Sequence, residues 1–389
     1  MKRALTFLFI FLVVIAGIFA LVIGLNYQGF KTLYQNEEGM VEGSQYIENT
    51  YSLKGLAEFI GDQPEYFSIT SYNAADPDSG IFFEPDTPRT LGTTANLILL
   101  IEYERQVAEG LLNPEETVRL NDIQEFSLPK ISENNHQNLV DEFSDGNAPL
   151  DDVVSAMIAY NDIAAADYLW FRFGEENIRA LTDSLNFPEN SLPIPFSGMY
   201  ITINPSLNDT VGLSEIGFTE FAKRAIKASQ NLAEDQAYQQ VVKEQFEKDR
   251  LSLTFIQERD ALDFFPQAST NAMADLMYRL LHGEIISAEV SEEVVKKLRW
   301  LMHSERIVRS FDDYGGIYDN RMGLLAGVDF GTSIYDGHTS VQAIFFDQLP
   351  VGFWVHLSAN HMHEDFQQRL IWDPALYEIT FTEIESGNE

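Results

Sequence analysis

A run of apolar residues at helical spacing predicts a buried helix in the first third of the chain. Leu97, Leu100, Ile101 and Val107 fall on one helical face, and the intervening residues of 97–101 are apolar as well. A helix that is apolar on most of its circumference is typical of a protein interior. We therefore expect this helix to be buried on most sides.

The start of this helix is polar and carries hydroxyl groups. Gly92 frees the backbone for a turn, and Thr93 or Thr94 is expected to cap the helix with its hydroxyl. Gly110 is expected to end the helix. Because a helix N-terminus stabilises developing negative charge, this position suits a nucleophile.

The same patterns predict further elements, with strands towards both ends of the chain. We predict a helix over 51–60 and strands over 66–72 and 81–83, separated by a turn cluster at 73–80. Residues 111 to about 300 have mostly helical periodicity. After them, the predicted elements are strands over 323–332, 339–346 and 351–358 and a closing helix over 366–372.

The N-terminal residues have the charge and hydropathy of a membrane anchor. Lys2 and Arg3 precede an apolar run over 4–25, which is long enough to cross a bilayer. We predict an uncleaved signal anchor over 1–26 and a juxtamembrane spacer over 27–50. The chain would then be a single-pass protein of the cell membrane with its bulk on the extracytoplasmic side. A cleaved signal peptide is the alternative, although the run has no convincing cleavage motif.

Composition excludes several classes of function. The 389 residues are 45% hydrophobic, which is enough for a large core in one or two domains. Cysteine is absent, so the chain has no disulfide, thiol nucleophile or cysteine metal site. Sixty acidic and 25 basic residues give a net charge of −35. This charge argues against a nucleic-acid partner, because phosphate binding needs a basic surface.

The stretch over 88–103 (PRTLGTTANLILLIEY) resembles the motif-bearing helix of the class A β-lactamase and penicillin-binding-protein family. In that family the helix begins with Ser-x-x-Lys, where serine is the nucleophile and lysine is part of the base machinery. Here Thr93 stands at the serine position and Asn96 at the lysine position. The resemblance extends over about 51–370 in the order of the elements.

The family's second motif, a Ser-x-Asn loop, is also altered. Asn161 occupies its serine position and Ile163 its asparagine position. Asp162 between them matches class A enzymes, and the resemblance implies that this carboxylate braces the loop or caps a helix.

The third motif, a Lys-Thr-Gly strand, keeps only its glycine. The nearest match is Leu325-Ala326-Gly327, and Arg321 is the closest cation. No clear equivalent of the deacylating glutamate is found, because Glu189 lies in about the right region but in a weakly matching context.

The resemblance implies an α/β (α+β) fold of the β-lactamase/transpeptidase type. Its antiparallel sheet is flanked by helices and carries an inserted all-helical lobe at about 111–300. We expect this domain over 51–373, after the N-terminal transmembrane helix and before an acidic tail at 374–389. A cleft is expected between the two lobes.

The altered motifs predict a pseudoenzyme that retains the cleft for binding. A neutral hydroxyl needs an adjacent base to act as a nucleophile, and the Asn96 amide cannot accept its proton. On fold analogy we expect a cell-wall peptide or an envelope protein as the ligand, and no cofactor. One alternative is an active hydrolase of β-lactams, peptides or esters, with Thr93 as nucleophile and Asp162 or another carboxylate as base. A structural envelope scaffold is the other.

Two motifs elsewhere in the chain are weaker candidates. Ser127-Leu-Pro-Lys130 is a literal Ser-x-x-Lys, but its internal proline argues against a helix that brings both side chains to one face. His361-Met-His363-Glu-Asp365 offers zinc-type ligands, but the further ligands that such a site needs are missing. We therefore predict no metal.

Overall fold

A computed structural model describes residues 31, 34–143, 145–208, 213–299, 319–323, 326–335 and 337–387. Its main sheet has the order β2-β1-β9-β8-β7, and every neighbouring pair is antiparallel. Two short ribbons pair β3 with β6 and β4 with β5. The strands in the described ranges are β1 (Phe67–Asn73), β2 (Asp76–Phe83), β3 (Arg89–Thr90), β4 (Thr117–Arg119), β5 (Asn147–Pro149), β6 (Gln267–Ala268), β7 (Asp319–Gly323), β8 (Ala326–Tyr335) and β9 (His338–Phe346).

Helices account for most of the rest of the described chain. The α-helices are α1 (Glu37–Val41), α2 (Ser44–Ile47), α3 (Leu53–Asp62), α4 (Asn96–Ala108), α5 (Leu120–Gln124), α6 (Glu133–Glu142), α7 (Leu150–Ala159), α8 (Ile163–Phe173), α9 (Glu175–Ser184), α10 (Phe196–Ile203), α11 (Phe218–Glu234), α12 (Gln236–Lys248), α13 (Phe255–Ala261), α14 (Thr270–Leu281), α15 (Ala288–Arg299), α16 (Val351–Ala359), α17 (Met362–Trp372) and α18 (Pro374–Gly387). Short 3₁₀ helices lie at Pro64–Tyr66, Gly92–Ala95, Glu189–Ser191, Leu213–Glu215 and Leu262–Phe264.

The two faces of the main sheet are covered by different helices. On one face, Phe67 of β1 packs edge-to-face against Phe59 of α3 and against Phe346 of β9. On the other face, the buried hydroxyls of Thr70 and Thr270 hydrogen bond at 3.0 Å and join β1 to α14. Side chains that alternate along a strand thus serve two separate helical layers.

Helix α4 is buried at the centre of the helical lobe, as its apolar pattern predicts. Residues 96–104 of this helix are all buried, and α7, α8, α9 and α15 contact it. The lobe is not all-helical, however. It includes the β4–β5 ribbon, in which Val118 is buried between two exposed neighbours and so follows the alternation of a strand.

The predicted strand over 351–358 is wrong, because these residues form α16. Val351, Trp354 and Leu357 are buried, a spacing of three residues that fits one face of a helix. Pro350 immediately precedes the helix, where proline is tolerated. A short apolar run does not distinguish a buried strand from a buried helix, which explains the error.

Two predicted boundaries also differ from the structure. The strand predicted over 323–332 is divided between β7 and β8, which pair at Gly323 and Ala326. The turn predicted over 73–80 is shorter than expected, because β2 already begins at Asp76.

The segment around α1 packs onto the domain. Glu42 forms an ion pair with Arg259 at 2.8 Å and accepts a hydrogen bond from the Val351 amide at 3.1 Å. Asn36 accepts from the Phe255 amide at 2.5 Å. Part of the interval predicted as a spacer therefore makes specific contacts with α13 and α16.

The predictions for the two ends of the chain have different outcomes. The anchor predicted over 1–26 lies outside the described residues, and within the described ranges no helix is long and apolar enough to span a membrane. The interval predicted as an acidic tail contains α18, which packs on α3 and α17.

A partly buried charge cluster lies at the C-terminal half of α4. Lys297 of α15 is 2.6 Å from Asp151 and 3.7 Å from Glu104, and the Tyr103 hydroxyl donates to Asp151 at 2.8 Å. Burial raises the pKa of Glu104 to about 7; the nearby Lys297 opposes this shift, and Asp151 adds to it. The folded chain therefore binds a proton at Glu104 more tightly than the unfolded chain does.

Replacing Glu104 with glutamine should stabilise the protein at pH 8 but not at pH 5. A carboxyl with a raised pKa contributes stability while protonated, and that contribution is lost as the pH rises through about 7. We expect Glu104→Gln to raise the free energy of unfolding by roughly 2 kcal/mol more at pH 8 than at pH 5. Urea unfolding at both pH values measures this. The exposed Glu109→Gln is the control and should show no such difference; an equal effect at both pH values would contradict the assignment.

Candidate functional site

The Thr93 hydroxyl does not cap α4, contrary to expectation. A 3₁₀ turn over Gly92–Ala95 leads into the helix, and no side chain of the described residues caps the N-terminus of α4. Gly92 has φ +53°, in agreement with the predicted need for glycine. Thr94 donates its hydroxyl to the Leu91 carbonyl, while Thr93 Oγ1 donates to Asn161 Oδ1 at 3.1 Å. The structure therefore brings the first and second motifs into direct contact.

The loop that carries the second motif has a strained backbone. Asn161 adopts φ +53°, a left-handed conformation that asparagine tolerates better than most residues. Asn135 of α6 donates its amide to the Asn161 carbonyl at 3.3 Å. Asn161 is thus hydrogen bonded at its backbone carbonyl, by Asn135, and at its side-chain oxygen, by Thr93.

Asp162 braces this loop from inside the protein. Its fully buried carboxylate accepts from the Ala164 and Ala165 amides at 3.0 and 3.1 Å and so caps α8, as the resemblance implies. The other carboxylate oxygen lies 2.8 Å from Nδ1 of His136, which is also buried. These contacts fix the start of α8, where Ile163 is buried as well.

Asn96, at the lysine position, is buried without a hydrogen-bond partner in the described part of the chain. Its side chain is 1% exposed, and neither Nδ2 nor Oδ1 is bonded. An amide has no basicity at neutral pH, so it cannot take the Thr93 proton. An unsatisfied buried amide is also destabilising.

Replacing Asn96 with leucine should therefore stabilise the protein. Leucine has the same number of side-chain heavy atoms and the same branching at Cγ, and it removes two polar atoms that are desolvated without compensation, so we expect a gain of about 1–2 kcal/mol in the free energy of unfolding. Thermal and urea unfolding measure the gain. Asn177→Leu is the control for an amide that has a partner, because the more exposed Asn177 donates to the Phe173 carbonyl at 2.8 Å and loss of this bond should destabilise. A loss of stability in Asn96→Leu would show that the amide has a partner or a ligand.

The third motif is only partly described. Leu325 lies outside the described residues, and Ala326 and Gly327 begin β8, with Gly327 paired to Met322 of β7. Both β7, the edge strand of the main sheet, and β8 contact the Gly92–Ala95 turn. The end of the sheet that carries this motif therefore lies beside Thr93, with Arg321 in the middle of the edge strand.

The other candidate residues from the sequence have partners other than Thr93. Glu189 accepts from Thr219 at 3.0 Å and lies 3.7 Å from Arg179, with more than half of its side chain exposed. Ser127 is buried, whereas Lys130 donates to the Glu247 carbonyl at 2.6 Å, so their side chains make no contact with each other. In the described ranges, no group of three histidine or acidic side chains, including the His361–Asp365 segment, could hold a metal.

Sequence reasoning missed two residues of the site, Asn135 and His136. Both lie on α6, 26 residues before the loop that they contact. These two adjacent residues match no catalytic or metal-binding motif in the sequence. The packing of α6 against α8 brings Asn135 to Asn161 and His136 to Asp162.

Comparisons with known proteins give one consistent result. A sequence model described as "Beta-lactamase enzyme family" matches residues 54–348. Similar solved structures include a β-lactamase from Sphaerobacter thermophilus (14% identity, 87% of this chain and 98% of that one, TM-score 0.51) and one from Chitinophaga pinensis (13%, 83% and 99%, TM-score 0.51). A point mutant of PBP-A, in an acyl-enzyme complex with penicillin G, is similar as well (10%, 86% and 96%, TM-score 0.50). No curated protein matches the sequence significantly.

Proposed function

Because the chain belongs to the beta-lactamase enzyme family, we propose that it is a pseudoenzyme of that family, which binds a ligand in the cell envelope without acyl transfer. The proposal combines a retained fold with altered chemistry at three motifs. It includes the anchor over 1–26, which would hold the domain on the outer side of the cell membrane.

The observation that carries the proposal is the hydrogen bond from Thr93 to Asn161. The acceptor at 3.1 Å is an amide oxygen, which orients the hydroxyl but does not deprotonate it. In the described part of the chain, no carboxylate, imidazole or amine hydrogen bonds to Thr93 Oγ1. Removal of a single general base typically reduces a rate by ~10²–10⁴-fold, and here the lysine, serine and asparagine positions are all replaced.

Asp162 is a poor substitute for the missing base. Its carboxylate already accepts two backbone hydrogen bonds and contacts His136. A carboxylate held in this way stabilises the helix, and the Thr93 hydroxyl hydrogen bonds to Asn161 instead of to it. This arrangement favours the pseudoenzyme over a hydrolase that uses Asp162 as its base.

The ligand class rests on fold analogy and location. A cell-wall peptide fits a cleft of this family, and an envelope protein fits an anchored domain on the outer side of the membrane. Both would bind without covalent chemistry. Retention assays on purified cell wall and on envelope extracts distinguish these two sources.

Intact-mass analysis of the protein after incubation with penicillin G tests the lost chemistry. We expect no adduct on the wild-type chain, while the PBP-A mutant, which forms an acyl-enzyme complex with this compound, serves as the positive control. Circular dichroism confirms that the protein is folded. An adduct that maps to Thr93 and disappears in Thr93→Val would overturn the pseudoenzyme proposal and support an active hydrolase.

A further inference from the structure

We propose that a cleft along the outer face of α11 binds a small molecule that carries at least two carboxylate or phosphate groups. The cleft has a volume of about 560 Å³ and is lined mainly by this helix. None of its described lining residues belongs to the Thr93 site. The inference is independent of the proposed loss of catalysis.

Three cations from two adjacent turns of α11 line the cleft. Lys223 and Lys227 are four residues apart and so share one helical face, with Arg224 beside them. Within the described residues, Glu220 is the one acidic side chain of the lining, so positive charge is in excess. Lysine and arginine donate charge-assisted hydrogen bonds to carboxylates and phosphates.

The three cations differ in the protein partners that they already have. Arg224 is held by Glu220 at 3.1 Å, and among the described residues Lys227 makes one long hydrogen bond of 3.4 Å, to Gln230. The ammonium of Lys223 has no partner in the described part of the chain. Lys223 and Lys227 are therefore available to bind two separate anionic groups.

Neutral groups in the lining extend the recognition surface. Asn231 and Tyr238 add an amide and a phenol, and the rings and methyl groups of Tyr238, Leu213 and Ala228 cover the apolar part. A ligand with a short carbon skeleton between its anionic groups would contact both kinds of surface. Small-molecule sites commonly combine an apolar wall with a few polar groups.

The position of these cations is unusual for this chain. Basic residues number 25 against 60 acidic ones, yet three lie within five positions of one helix. The overall negative charge repels anions at long range, so only a ligand that meets several cations at once would bind. This requirement favours a molecule with two or more anionic groups over a single small anion.

Isothermal titration of the full chain with citrate, pyrophosphate and acetate tests the proposal. We expect citrate or pyrophosphate to bind and acetate to bind far more weakly. If citrate binds more tightly, the natural ligand carries carboxylate groups; if pyrophosphate binds more tightly, it carries phosphate groups. Failure of both to bind the wild-type protein would overturn the site.

Variants then locate the binding. Lys223→Gln/Lys227→Gln should weaken the affinity by roughly tenfold to a hundredfold, as expected for the loss of charge-assisted hydrogen bonds. Lys54→Gln/Lys296→Gln, on two exposed lysines paired with Glu58 and Glu293, is the charge-matched control and should leave the affinity unchanged. Equal weakening in both would show non-specific attraction and overturn the proposal. Lys223→Gln alone, with an expected loss of several-fold, serves if the double variant misfolds.

Discussion

Asp162→Ala is expected to lower the free energy of unfolding by about 3 kcal/mol. The substitution removes the cap of α8, which typically contributes ~1 kcal/mol, and leaves buried His136 without its carboxylate partner, which costs about 1–3 kcal/mol more. Urea unfolding monitored by circular dichroism measures the loss. Because Asn161 is the preceding residue, we also expect the loop beside Thr93 to become mobile, which hydrogen exchange would detect.

Asp235→Ala provides a matched control for this prediction. Asp235 caps α12 through the Ala237 and Tyr238 amides at 2.9 and 3.1 Å, but in an exposed position and without a histidine. We expect it to cost about 1 kcal/mol. If the two variants lost equal stability, the buried Asp162–His136 contact would contribute nothing beyond the cap.

Arg89→Ala is expected to destabilise the protein by about 3–5 kcal/mol, the largest effect predicted. The buried guanidinium donates to Ser68 Oγ at 2.7 Å and to the carbonyls of Glu65, Pro64 and Phe67 at 2.5, 2.9 and 2.7 Å. Its removal leaves the buried acceptors on Phe67 and Ser68 and two partly buried carbonyls unsatisfied, at the point where β3 meets the start of β1. Chemical unfolding measures the effect.

Two further variants separate geometry from charge at this position. Arg89→Lys keeps the charge but not the fork of donors, so we expect it to recover less than half of the loss. Arg119→Ala removes an exposed arginine that pairs with Asp122 at 2.7 Å and should change stability by less than ~1 kcal/mol. Full recovery in Arg89→Lys would show that charge alone accounts for the effect.

The sequence predicts best those elements whose hydrophobic period is long and regular. The buried helix α4 and the strands β1 and β9 are confirmed because many residues repeat one period in each. The segment over 351–358 fails because eight residues of mostly apolar character fit either a strand or a helix. The segment packs against α1 and α2 as a helix. The local sequence carries no information about this tertiary packing.

The candidate site was predictable in its positions but not in its contacts. The motif positions Thr93 and Asn161 meet through a hydrogen bond, although 68 residues separate them along the chain. The cap expected from Thr93 is absent because its hydroxyl has a tertiary acceptor instead of a local one. His136 carries no sequence pattern at all, since its role depends on the docking of a separate helix.

The attachment of α1 to the domain limits how far the proposed anchor would let the protein reach. Asn36 and Glu42 are bonded to α13 and α16, and about ten residues connect position 26 to Asn36; any chain of that length spans at most roughly 35 Å. The domain would therefore sample a shallow layer next to the bilayer. Ligands within that layer are reachable, whereas those deeper in a thick wall must diffuse to the protein.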